Sequence, residues 1–144
     1  MTDSSGPLRT TAGKALILVI ERDPHVRALE RYFLESAGFE LEFVDDGLSA
    51  LARAREMRPH ILISEILVPG MDGLSVCRAI KADEATRSIV VLIFSILSAE
   101  ERACEAGADA FLRKPLNDTL LVHTVEALLA RHLEGGPDGS SRHR

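Results

Sequence analysis

A chain of 144 residues holds one domain of ordinary size and is short for two. Its hydrophobic content of 46% supplies a sizeable core, and its formal net charge of −5 argues against a dedicated nucleic-acid surface. No apolar h-region opens the chain and no run approaches the roughly 18 apolar residues of a membrane span, so a cytoplasmic protein without membrane contact is expected.

Residues 1–13, rich in Ser, Thr, Gly and Pro, read as a flexible N-terminal tail. "ALILVI" (15–20) is a continuous apolar run, as in a strand covered on both faces. Asp23 then caps a helix with Pro24 at its first position, Val26, Leu29 and Phe33 as its apolar stripe, and Gly38 past its end. "FELEFV" (39–44) alternates as a strand does, and residues 45–57 follow as a helix with Leu48 and Leu51 turned inward. "ILISE" (61–65) is the third strand, followed by a Pro-Gly loop and a helix over 74–82. "IVVLIF" (89–94) is the fourth strand, after which Ser98 and Glu101 form a capping box for a short helix to Ala106. "AFLR" (110–113) is a brief fifth strand, and Lys114-Pro115 turns the chain into a last helix over 117–132 with Leu121, Val125, Leu128 and His132 along one side. The folded unit is thus 14–132, and residues 133–144 read as a second flexible tail.

Strands alternating with helices imply a parallel sheet covered on both faces, with the binding crevice beyond the carboxyl ends of the strands. Chemistry-bearing side chains stand at several such ends: Glu21 and Arg22, Glu65, Ser95 and Lys114. Cys77 and Cys104 form no CxxC and read as reduced small hydrophobes. The five histidines have no metal-ligand spacing.

"ILVIERDP", "ILISEILVPGMDG", "VVLIFS" and "EAGADAFLRKP", in this order, resemble the receiver domain of two-component response regulators over residues 14 to 132. The resemblance implies a flavodoxin-like sheet of five parallel strands in the order 2-1-3-4-5 with five flanking helices. It also implies a phosphorylation switch. An aspartate ending strand three accepts a phosphoryl group from a histidine kinase, and two acids after strand one help hold Mg²⁺ with a backbone carbonyl two residues past the acceptor. A Ser/Thr and a Lys then bind the phosphoryl oxygens, and an aromatic residue on strand five turns with the Ser/Thr. Carried over by position, Ser95, Lys114, the switch residue Phe111, the carbonyl donor Leu67 and a cis-prone Lys114-Pro115 step are present.

Two departures touch the chemistry: the phosphoacceptor position holds Glu65, and the acidic pair reads Glu21-Arg22. A guanidinium in the pair repels a divalent cation and forks onto a carboxylate instead, so the Mg²⁺ of the family is expected to be lost. Glu65 reaches one methylene further than aspartate, and a misplacement of about 1 Å costs in-line transfer on the order of 10²-fold. The expectation is a stand-alone, non-enzymatic pseudo-receiver in which Glu65, Lys114 and Arg22 form a permanent network. It acts through a protein partner, a histidine kinase or downstream effector, with a homodimer also admitted. A simpler reading leaves Glu65 and Arg22 as solvated charges after signalling was lost. A conventional Mg²⁺-dependent receiver fed by a kinase is the alternative. A small α/β phosphatase or nucleotide-binding protein is opposed by the absence of GxGxxG and GxxxxGK[ST] loops. Only eleven residues, Ile96 to Ala106, separate Ser95 from Gly107, about one helical turn short for the fourth-helix region.

Overall fold

The computed structural model describes residues 14–135, with side chains described as far as Arg131; the expected tail residues 1–13 and 136–144, and the side chain of His132, lie outside the described residues. Strands β1 (Leu16–Ile20), β2 (Glu40–Val44), β3 (Ile61–Ser64), β4 (Val90–Ser95) and β5 (Ala110–Arg113) alternate with helices α1 (Pro24–Ser36), α2 (Gly47–Met57), α3 (Gly73–Ala82), α4 (Glu100–Glu105) and α5 (Asp118–Gly135). All strand pairs are parallel and the order is β2-β1-β3-β4-β5, as expected. The last helix runs three residues beyond the expected boundary at 132.

The three central strands are apolar because both of their faces are covered. On one face Leu18, Ile20, Leu62, Val91 and Ile93 pack with α2, α3 and α4; on the other Ile17, Val19, Ile61, Ile63, Leu92 and Phe94 pack with α1 and α5. Register then sets the geometry of the crevice. Ile20 pairs with Ser64, so the residues that follow, Glu21 and Glu65, leave neighbouring strands side by side. Ser95 pairs with Arg113, which brings Lys114 to the same end of the sheet.

Three local expectations are corrected. In α2, Leu48 is 58% exposed in the first turn, while Ala50, Ala54 and Met57 are buried and Leu51 is half-buried; two alanines let the helix lie close to the sheet. In α1, Leu29 is 44% exposed, and the inward stripe instead carries Glu30 and Leu34, with Val26 and Phe33 half-buried beside them. Ser98 is not a helix cap: α4 starts from Ala99 without a side-chain cap, and the Ser98 hydroxyl accepts a hydrogen bond from Arg113 Nη1 at 3.0 Å. The residue that was to start α4 is used instead to tie the β4–α4 loop to β5. Among the described residues no helix is long and apolar enough to cross a membrane.

Candidate functional site

At the carboxyl end of the sheet a glutamate, a serine, a lysine and a second glutamate close into one network. Glu65 follows the last residue of β3 directly and its side chain is buried. One carboxylate oxygen, Oε2, accepts from the Ser95 hydroxyl, from Ile66 N–H at 2.6 Å and from Leu67 N–H at 3.3 Å. The other, Oε1, lies 3.0 Å from Lys114 Nζ. Lys114 also donates to Glu21 Oε1 at 2.7 Å, so its ammonium stands between two carboxylates, with the Phe94 ring centroid 5.4 Å away. Glu21 Oε2 accepts from Asp23 N–H at 3.1 Å, while Asp23 Oδ1 caps α1 by accepting from His25 N–H at 2.8 Å.

The backbone beneath Glu65 is equally specified. Gly73 opens α3 and donates to Ile66 O at 2.9 Å. A Cβ at Gly73 would meet Glu65 O at 2.2 Å and Ser64 Oγ at 2.9 Å, so the helix start approaches the strand end closer than any other residue allows. The Lys114-Pro115 peptide bond is cis. Ser95 Oγ in turn accepts from Leu97 N–H at 3.1 Å, and Arg113 Nε donates to Ile96 O at 3.0 Å. Phe111 is half-buried, packs against the core on the α2–α4 side and lines a cavity of about 450 Å³ with Ser98, Glu100, Glu101, Leu112 and Arg113.

Arg22 is not part of the network. It is exposed and makes no ion pair among the described residues, contrary to the expected Glu65–Arg22 contact. The cause lies in strand geometry: successive side chains of an extended chain point oppositely, so Glu21 turned inward sends Arg22 outward. The guanidinium that does serve this end of β1 belongs to Arg27 of α1. Its Nε donates to Glu21 O, and its Nη2 donates to Val44 O at 3.2 Å and to Asp45 Oδ1 at 2.5 Å.

Burial is the largest influence on Glu65 and opposes its ionisation. Hydrogen bonds from Ser95 and Lys114, the charge of Lys114 and Ile66 N–H together outweigh it and hold the carboxyl below the usual range. Lys114 is the mirror case: burial would lower its value, but the hydrogen bonds and charges of Glu21 and Glu65 raise it. The buried groups therefore amount to two anions around one cation, and the excess negative charge is spread over hydroxyl and backbone N–H donors.

Mg²⁺ binds an octahedron of oxygens with little tolerance for displacement. Here the space between the two carboxylates is spanned by the Lys114 ammonium, the second position of the acidic pair is an exposed arginine, and no group of three or more His, Cys, Asp or Glu among the described residues is placed to hold a metal. The donor set does not fit the cation that the fold implies.

Glu21, Glu65, Ser95, Lys114 and Phe111 are legible in the sequence, whereas Arg113, which ties down the β4–α4 loop, and Glu30, a buried carboxyl outside the network, are not. Arg113 was read only as a strand residue. Glu30 is fully buried, and neither carboxylate oxygen has a hydrogen-bond partner among the described residues. Burial pushes its carboxyl up to about 8, helped by the charge of Glu21 and opposed by those of Lys114 and Arg27. The available signal was its place four residues after Val26 and four before Leu34, on the inward stripe.

The family model of the response regulator receiver domain matches residues 17–126. The transcriptional regulatory protein CseB of Streptomyces coelicolor is 36% identical over 128 residues, covering 87% of this chain and 54% of that protein. The chain spans about half the length of the curated relatives it matches. Among solved structures, the signal receiver domain of a signal transduction histidine kinase from Syntrophus aciditrophicus superposes with a TM-score of 0.73 at 33% identity, covering 88% of this chain and 96% of that one. The chemotaxis response regulator CheY4 of Vibrio cholerae gives 0.74 at 25% identity, covering 80% and 98%. A shared fold and a family match over most of the described residues agree: the chain belongs to the response regulator receiver domain family of two-component signalling.

Proposed function

We propose that this receiver unit is set in one signalling state without phosphorylation and without a metal, and that it acts through protein contact rather than as an enzyme. The observation that carries the reading is the occupancy of Glu65. Its carboxylate already engages Ser95 and Lys114, the two groups that in the family hold phosphoryl oxygens, together with the N–H groups of Ile66 and Leu67. The longer side chain thereby supplies from within the chain what a phosphorylated aspartate supplies after transfer.

Consequences for the signalling face follow from the same bonds. Glu65 draws the Ser95 hydroxyl inward, and Ser95 holds the β4–α4 loop through Leu97 N–H. Arg113 clamps the loop from the other side at Ile96 and Ser98. Phe111 packs inward beside a six-residue α4. The α4–β5 surface is thus offered to a partner in a preset shape. We assign that partner to the protein class, a histidine kinase, an effector or a second copy, in the cytoplasm and away from the membrane. The transcriptional regulatory protein CseB and the DNA-binding response regulator MtrA are each about twice as long as their match to this chain. Nucleic-acid contact is accordingly assigned to segments other than this acidic switching unit.

The test is intact mass after incubation with acetyl phosphate and Mg²⁺. The expected result is an unmodified chain. A conventional phosphoreceiver is favoured by the presence of Ser95 and Lys114. Radiolabel transferred from a histidine kinase and abolished in Glu65→Gln would establish it instead.

A further inference from the structure

Arg113 lines the groove between α4 and β5, yet its guanidinium is committed to the β4–α4 loop. Its Nε donates to Ile96 O and its Nη1 to Ser98 Oγ, each at 3.0 Å. The same groove is lined by Glu100 and Glu101 from the first turn of α4. Both are exposed, and neither takes part in an ion pair or a side-chain hydrogen bond among the described residues. Phe111 and Leu112 of β5, both half-buried, supply apolar surface to this cavity of about 450 Å³. Ile96, whose carbonyl Arg113 holds, adds an aliphatic side chain that is 56% exposed. Carboxylates suit the start of a helix, but that preference does not call for apolar surface beside them. Two acids whose nearest cation is spent on a loop, set against an aromatic ring, describe the complement of a partner.

We propose that the α4–β5 groove seats a basic amphipathic segment of a different protein, with a Lys or Arg laid along Phe111 and Leu112 and its charge set against Glu100 and Glu101. The inference rests on the reading of this face as a preset contact surface and names the chemistry of its occupant. Lys and Arg fit because their methylene stems cover apolar surface while their charged heads stay in water. A leucine on the same face of the segment meets Ile96, as in other grooves that hold a helix by spaced apolar anchors. A second copy of this chain fits poorly. About a twofold axis both copies bring Glu100 and Glu101 to one contact, like charge facing like. An acidic segment meets the same repulsion and finds only Arg113, whose Nε and Nη1 are already engaged.

The experiment is an amide NMR titration of the full chain with a helical peptide bearing one leucine face and one lysine face. A second peptide carries Glu for every Lys, and the buffer holds neither Mg²⁺ nor a phosphoryl donor. The expected result is saturable shifts at Ser98, Glu101, Phe111 and Arg113 with the lysine peptide alone, reduced by added salt. Binding becomes about tenfold weaker when Glu100→Gln and Glu101→Gln are combined, and weaker also in Ile96→Ser. The proposal is overturned by the lack of a saturable shift up to about 1 mM peptide, by equal binding of the glutamate peptide, by shifts centred away from the groove, or by undiminished binding in either variant. Shifts that follow protein concentration without peptide would give the groove to a second copy and overturn it as well. None of these outcomes depends on Glu65 chemistry, so a failure here is distinguishable from a positive acetyl phosphate result.

Discussion

At the mouth of the sheet Glu65 is buried among four donors; under α1 Glu30 is buried with none among the described residues. The two carboxyls feel the same lysine, and their ionisation is displaced in opposite directions, Glu65 downward and Glu30 upward to about 8. Burial alone therefore does not decide whether an acid in this protein is charged. The hydrogen bonds that burial leaves available decide it, and those come from strand ends and the start of a loop, not from the side of a helix whose N–H groups are already used.

The contrast breaks most severely if Lys114 is removed. Lys114→Met strands two buried anions, and a loss of about 3–5 kcal/mol in urea unfolding is expected. Next in size is the pH dependence of stability. Glu30 has a folded value raised above the unfolded 4.5, so its contribution is full below 4.5 and is lost as pH rises toward about 8. The slope is at most about 1.4 kcal/mol per pH unit. Glu65, lowered in the folded state, contributes stability that is present above the unfolded value of 4.5 and lost as pH falls through its folded one. Urea midpoints measured against pH should show both slopes, and Glu30→Gln should remove only the decline that runs from 4.5 to about 8. Ser95→Ala, which takes one donor from a charged acceptor, should cost about 1.5–3 kcal/mol and release the Leu97 amide, seen as faster hydrogen exchange in the β4–α4 loop. The smallest effect belongs to Arg22→Ala, within about 0.5 kcal/mol, because the side chain is exposed and makes no ion pair among the described residues; a loss of several kcal/mol would restore Arg22 to the network.

The sheet was legible because "ALILVI", "ILIS" and "VVLIF" are continuous apolar runs that only a doubly covered strand explains. Their order and the residues that end them also located Glu21, Glu65, Ser95 and Lys114. What stayed hidden depended on orientation. Arg22 beside Glu21 looked like a pocket cation until strand alternation turned it outward. Leu29 and Leu48 looked like core because helical spacing gives a stripe but not its rotation, and only packing against the sheet chose Glu30 and Leu34, or Ala50 and Ala54. Ser98 fitted a capping pattern, yet Arg113, distant in sequence, took its hydroxyl. Such long-range competition for a hydrogen-bonding group leaves no local trace.

Glu65 already holds the donors that a phosphoryl group would need. Adding beryllofluoride and Mg²⁺ while recording the amides of Ile66, Leu67 and Leu97 addresses this most directly. The account predicts resonances that do not move as the reagent is raised. Saturable shifts centred on Glu65 would contradict it.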